Sequence, residues 1–326
     1  MGKRLTIYVM TYNRPDYLAE GLASIRNQTF TDFRVAVLDN ASTRSYEETL
    51  KQYSDLDIEY VRHPQNIGSM GNFRYAWSRT TDTEYMMVFH DDDLMHPHLL
   101  AEEIAVLESD KSLLWVATGM KGFRGTPPPW TSEGPRATRQ TFDSVGLATA
   151  LIRGASLNFG SAMYRSAARN LVDLDSLVAR LSIVADRPLL LGLAEKGRCA
   201  LIDAPLVYYR HHPEQDSRTG PINEDNIIEL FDAYRAALRA DWSSTNQRLF
   251  YSMSGFGLPD SFWRLPRERK TTIVLFLKKA AARGIFRPSS LGYYPIGLAK
   301  RQFQRAFRIP AKIQEWFRNR SKNSHG

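Results

Sequence analysis

Through the first hundred residues, short apolar runs alternate with segments whose apolar positions recur at helical spacing. Leu5–Met10 (LTIYVM), Phe33–Leu38 (FRVAVL), Ile58–Arg62 and Tyr85–Phe89 (YMMVF) have the length and composition of strands. After the first, Leu18, Leu22 and Ile25 mark one apolar helix face that Asp16 is placed to cap. Further helices are predicted over Ser45–Tyr53, Gly68–Ser78 and His98–Glu108. Strands separated by helices pair in parallel through right-handed crossovers, so the pattern predicts an α/β sheet flanked by helices. Ligands of such sheets bind beyond the carboxyl ends of the strands. Three of the predicted strands end there in polar clusters, at Thr11–Arg14, Asp39–Ser42 and His90–Asp93.

The pattern changes further along. Gly119–Pro135 holds the prolines Pro127 to Pro129 and then Trp130, and it predicts a long loop that can line a binding site. Near the end, Ile296, Ala299, Phe303, Ala306, Phe307, Ile313, Trp316 and Phe317 recur near helical spacing among Lys and Arg, with Pro310 dividing the run.

Charge sharpens this division. The 326 residues carry a net charge of +8. Residues 260–326 hold 16 Lys/Arg against 3 Asp/Glu, which leaves 27 against 32 for the rest. A mildly acidic body with a basic tail predicts a catalytic unit joined to a segment that meets an anionic surface. Basic residues beside an aromatic stripe fit an interfacial helix on anionic lipid, and they fit equally a helix packed on the body with a solvated basic face. One cysteine, Cys199, excludes an internal disulfide and a cysteine-rich zinc site. No secretory leader pattern is seen, and no run reaches the ~18 apolar residues of a membrane span. The expected location is cytoplasmic, at most peripheral on the inner face of the plasma membrane.

The sharpest chemical feature is Asp91-Asp92-Asp93. Adjacent carboxylates after a buried strand repel one another, and a hard divalent cation relieves the repulsion. A solvated turn ahead of Pro97 explains the same residues without a ligand. Likewise Asp186, ahead of the apolar run Leu189–Leu193, reads as a helix cap. His90, His96 and His98 lack the spacing of a helix-borne zinc pair.

Several ordered blocks resemble glycosyltransferase family 2, the inverting enzymes of the GT-A fold, over roughly residues 4–217. IYVMTYNRPDYLAEGLASIRNQTF resembles the first strand and helix of the family, VLDNAS its second-strand block and NIGSMGNFRYAWS a block beside the donor. FHDDDLMHP is similar to the metal block, NFGSAMYR to the start of the acceptor half, ADRPLLLGLAEKG to the base segment and PLVYYRHHPEQDS to the closing block. Two departures stand out. His90 occupies the first acidic position of the metal block, and Ala185 replaces the acidic residue that often precedes the base.

The resemblance implies a GT-A catalytic domain over residues 1–220, its nucleotide-sugar half near 1–115 and its acceptor half near 116–220. Residues 221–326 would form a helical, basic extension. It implies Mn²⁺ or Mg²⁺ at Asp92, Asp93 and His212, donor contacts from Thr11, Asn13, Arg14, Asp39, Asn66, Gly68, Asn72 and Asp91, and Asp186 as base. The expected reaction moves a sugar from a nucleotide-sugar, by family habit a UDP-sugar, to a glycan or lipid-linked glycan in surface polysaccharide synthesis. The competing readings are a sugar nucleotidyltransferase, whose early glycine-rich phosphate loop is missing from Thr11–Pro15, and a basic nucleic-acid-binding protein. Charge alone confers only non-specific nucleic-acid attraction, so no specific nucleic-acid partner is expected.

Overall fold

The computed structural model describes residues 2–127, 129, 138–155, 157–213, 215, 222–269 and 271–295. Trp130 and the apolar stripe from Ile296 onward lie outside the described residues. The chain divides into two compact units, Met1–Gln247 and Arg248–Gly326.

Among the described residues, the first unit is built on one nine-stranded sheet. β1 (Leu5–Thr11), β2 (Phe33–Asp39), β3 (Ile58–Arg62) and β4 (Tyr85–His90) pair in parallel in the order β3-β2-β1-β4. The expected crossover helices are α1 (Pro15–Arg26), α2 (Glu47–Lys51) and α3 (Gly68–Ser78). Alternate residues Leu5, Ile7, Val9, Val35, Val37, Met87 and Phe89 pack with Leu18, Leu22 and Ile25 of α1. The same core takes Leu99, Leu100, Ile104 and Leu107 of α4 (Leu99–Ser109). The opposite parity, Tyr8, Met86 and Val88, is buried too, which explains runs that are apolar throughout.

Local chemistry moves several boundaries. α1 begins at Pro15, which needs no N–H partner at a first helical position, and Asp16 sits in the first turn without capping. α2 is shorter than predicted. The front of the expected Gly119–Pro135 loop is strand, because β6 (Leu113–Phe123) runs on beside β9 (Arg198–Arg210).

Past β4 the sheet becomes mixed. β8 (Met163–Arg165) enters antiparallel between β4 and β6, while β5 (Leu94–Met95) and β7 (Arg139–Phe142) pair antiparallel with β9. The helices of this half are α5 (Ser144–Arg153), α6 (Leu174–Leu181) and α7 (Asp186–Lys196). α8 (Glu224–Ala237), which falls within the expected extension, packs on α6 and α7 in the first unit. Its start is fixed by a reciprocal capping box between Asn223 and Asn226. The unit boundary falls within α9 (Ser244–Arg264).

In the second unit Phe262 stacks on Phe276 of α10 (Ile273–Ala282) at 5.3 Å between ring centroids. Gly255 of α9 lies so near the Ser290 carbonyl that a Cβ there would meet it at 2.0 Å, so only glycine allows that approach. Among the described residues, no helix is long and apolar enough to cross a membrane.

Candidate active site

Register brings the polar strand ends together. Thr11 pairs with Asp39, Met10 pairs with His90, and the Asp91 N–H donates to the Met10 carbonyl at 3.2 Å. The aspartate turn then lies close against α1, where a Cβ on Gly21 would come within 3.2 Å of the Asp91 carbonyl oxygen. Glycine at that position lets the turn seat on the helix.

The three aspartates, all buried, meet different partners. Asp91 accepts from the Thr11 hydroxyl at 2.7 Å, and its other oxygen is 3.4 Å from Arg14. Burial pushes its carboxyl up to about 7; the Arg14 charge opposes the rise and the Asp92 charge adds to it. Asp92 Oδ2 accepts from Arg14 at 2.9 Å and lies 2.8 Å from His212 Nε2. Burial works against its charge, but the His212 hydrogen bond, with His90 and Arg14 nearby, holds the carboxyl below the ordinary range. Asp93 Oδ1 accepts the Arg210 N–H at 3.0 Å. Its Oδ2 is fully buried and makes no hydrogen bond, although the Asn158 side chain is near enough to favour the charged form in part. Burial and the Asp92 charge therefore drive the Asp93 carboxyl well above its ordinary value.

An orphaned buried carboxylate oxygen is costly unless something positive meets it. His90, Asp92 and Asp93 each present a ligand atom, and these atoms all lie within 4.8 Å of one another. Gly160 closes this corner without filling it, since a Cβ there would sit 3.6 Å from His90 Nδ1 and 3.9 Å from Asp93 Oδ2. The residues fit a divalent cation. This grouping contains His90, while the expected His212 lies 2.8 Å from Asp92 Oδ2 through its Nε2.

The residues expected around the donor are held mainly by the protein. Asp39 accepts from the Ser42 N–H at 2.9 Å and the Tyr60 hydroxyl at 2.6 Å, and it pairs with Arg62 at 3.3 Å. Asn13, at a φ of 56°, uses the tolerance of asparagine for the left-handed region, and its Oδ1 gathers the Thr43 N–H at 2.7 Å. Asn66 bridges Asn40 and the Gly68 N–H, and Gly68 supplies the φ of 74° that opens α3. Asn72 is buried, donating to the Leu38 carbonyl and facing His63. Of the expected donor set, Thr11, Arg14 and Asp91 touch the aspartate turn, while Asn13, Asp39, Asn66, Gly68 and Asn72 shape the loops beside it.

Asp186 opens α7 as its first helical residue, and no side-chain capping bond is formed there. Its half-buried carboxyl is pushed up by desolvation, against the pull of Arg187, helix N–H groups and His90.

Sequence reasoning passed over Arg210. It is 5% exposed, donates to the Asp92 carbonyl at 2.9 Å and to Glu20 at 2.5 Å, and lies over the Tyr17 and Phe123 rings. It ties β9, α1 and the aspartate turn together. Its signal was present in PLVYYRHHPEQDS, where an arginine beside the closing histidines follows an apolar strand.

Comparisons with known proteins identify the family. Residues 6–167 match the profile described as Glycosyl transferase family 2. A putative glycosyltransferase of Bacillus subtilis, EpsE, is 26% identical over 72% of this chain and 83% of its own length. An uncharacterized glycosyltransferase of Methanocaldococcus jannaschii is 33% identical over 35% of this chain, a match that spans 40% of that relative's length. Among solved structures, Staphylococcus aureus TarS 1-349 in complex with UDP-GlcNAc superposes with a TM-score of 0.59 at 16% identity, covering 85% of this chain and 80% of that one. The mannosyltransferase PcManGT from Pyrobaculum calidifontis, in complex with GDP-Man and Mn²⁺, gives 0.50 at 17% identity over 93% of this chain and 88% of that one. These structural likenesses establish the GT-A fold. With the family match over the strands that carry the site, the chain belongs to glycosyltransferase family 2 and is a glycosyltransferase.

Proposed function

We propose that this glycosyltransferase moves a sugar with inversion from a nucleotide-sugar, a UDP-sugar in the first instance, to a hydroxyl of a glycan or lipid-linked glycan in surface polysaccharide synthesis. The observation that carries the reading is the buried, unsatisfied Asp93 oxygen grouped with Asp92 and His90. Asp92, Asp93 and His90 would hold a divalent cation, with His212 supporting Asp92. A mixed imidazole and carboxylate set suits Mn²⁺ better than Mg²⁺, which prefers oxygen alone. The UDP-GlcNAc and GDP-Man complexes of the two structural neighbours support a nucleoside diphosphate at this strand edge.

A bound cation supplies charge stabilisation to the departing diphosphate. The remaining roles belong to side chains. Arg14, within reach of Asp91 and Asp92, offsets their negative charge so that an anionic donor can approach. Thr11 fixes the Asp91 carboxyl, placing it for the donor ribose. Asp186 accepts the proton of the acceptor hydroxyl as its oxygen bonds to the anomeric carbon. The sugar–phosphate bond breaks and the nucleoside diphosphate leaves with the electron pair. Because the Asp186 carboxyl is raised, the active ionised form is gained as pH rises through that value, and turnover rises with it. A lipid-linked acceptor places this reaction at the cytoplasmic face of a bilayer.

The test is a panel of UDP-, dTDP- and GDP-sugars scored for nucleotide release with Mn²⁺, Mg²⁺ or chelator. Release from one donor that needs the metal supports the reading, and full turnover in chelator overturns it.

A further inference from the structure

Helix α10 has an unusual surface. At about 100° per residue, Ala281, Val274, Lys278, Ala282, Leu275 and Lys279 share one arc of the helix, and every one of them is exposed. Phe276 and Ala280, on the opposite arc, are buried. A helix that packs by one side ordinarily turns a polar face to water. Here four of the six outward residues are apolar, and Val274 and Leu275 remain 57% and 51% exposed. The rest of the unit repeats the pattern. Of the ten large apolar side chains exposed among the described residues, five (Trp263, Val274, Leu275, Leu291 and Tyr293) belong to this much smaller unit. Exposed Arg264, Arg267, Arg283 and Arg287 are interspersed with them in sequence.

We propose that the outward face of α10 docks on the surface of an anionic phospholipid bilayer, Val274 and Leu275 entering the acyl boundary and Lys278 and Lys279 meeting the headgroups. Charge selects this occupant over others. A second copy of the chain would set one lysine-bearing face against another. Residues 296–326 carry 8 Lys/Arg and 1 Asp/Glu, so laying them on the face would also bring like charges together. An anionic membrane instead satisfies both the apolar and the basic part of the face. The surface gives the proposed lipid-linked acceptor a reason to meet the enzyme, but the docking itself stands apart from the chemistry of transfer.

The full chain is to be sedimented with vesicles of phosphatidylcholine, with and without phosphatidylglycerol. The wild-type chain is expected to bind only the anionic vesicles. Combining Val274→Ser with Leu275→Ser is expected to weaken binding about tenfold through the lost apolar burial. Lys278→Gln with Lys279→Gln is expected to weaken it on the order of tenfold in dilute salt, an effect that vanishes in high salt. All four side chains are exposed, so an unchanged unfolding midpoint shows that the variants are folded. Nucleotide release from the donor without vesicles is also expected to be unchanged, which separates failure of docking from failure of the enzymatic reading. Wild-type binding that is indifferent to phosphatidylglycerol, or serine variants that bind like wild type, overturn the proposal. A wild-type dimer that the serine variants dissolve also overturns it, by assigning the face to a second copy.

Discussion

The ends of β2 and β4 flank β1 on one edge of the sheet, and each carries a fully buried aspartate, yet the two are finished differently. Both oxygens of Asp39 are met by its own chain, Oδ1 by the Ser42 N–H and Oδ2 by Tyr60 and Arg62 of β3. Burial and the Asp39 hydrogen bond in turn push the Tyr60 phenol up, so Tyr60 stays a donor. Asp93 has one oxygen satisfied by the Arg210 backbone, while the other, with the Asn158 side chain nearby, makes no hydrogen bond. A buried carboxylate costs several kcal/mol to desolvate unless partners meet it. The protein meets that cost itself at β2 and leaves it unmet at β4. The β2 end is a structural knot; the β4 end is where the proposed cation would sit.

This contrast can be broken by mutation. The largest effect is expected for Asp92→Ala, which removes the carboxylate shared by the metal corner, Arg14 and His212; nucleotide release should fall by about 10²–10³-fold. Asp93→Asn keeps the shape and removes the charge. Mn²⁺ affinity, read by titration, should drop at least about tenfold, the cost of losing even an outer-sphere partner, while the metal-free chain unfolds no earlier than wild type. Asp39→Asn should show the reverse. It sets an amide N–H against existing donors and should lower stability by about 1–3 kcal/mol with Mn²⁺ affinity unchanged. If Asp93→Asn lost stability and Asp39→Asn lost the metal, the two strand ends would have to exchange roles.

The smallest effect concerns pH. Asp91 and Asp93 bind protons more tightly in the folded chain than when unfolded, so folding takes up protons above the ordinary carboxylate range. The Asp91 contribution to stability is full below about pH 4 and is lost as pH rises through about 7, and that of Asp93 is lost in the same direction. Asp92 has the opposite sign, but its contribution changes only at lower pH. The unfolding midpoint of the metal-free chain should therefore fall between pH 5 and 8, and saturating Mn²⁺ should flatten that slope. A midpoint that climbs over this range in the absence of metal would mean the aspartates are not desolvated as the structure has them.

Much of the fold was legible because it rests on local patterns. The alternation from Leu5 to Phe89 dictates the parallel strands, and Pro15, Gly68 and Asn13 punctuate them through their own backbone preferences. The antiparallel half was not legible, since β8 is a three-residue strand whose place between β4 and β6 depends on partners about fifty to eighty residues away. The metal corner was half legible. A run of three aspartates announces a charge problem and the family resemblance adds His212, but His90 joins the group only in the structure.

Which of these share one corner was decided by three-dimensional neighbours. Thr11 and Arg14 draw Asp91 aside, the Arg210 backbone takes one oxygen of Asp93, and Gly160 leaves room beside His90. The sequence by itself determined the elements, the polar edge and the uneven charge, because hydrophobic period and composition act residue by residue. The tertiary structure decided which buried aspartate is satisfied by its own chain and which is left open, because desolvation and hydrogen bonding depend on atoms that distant segments bring together.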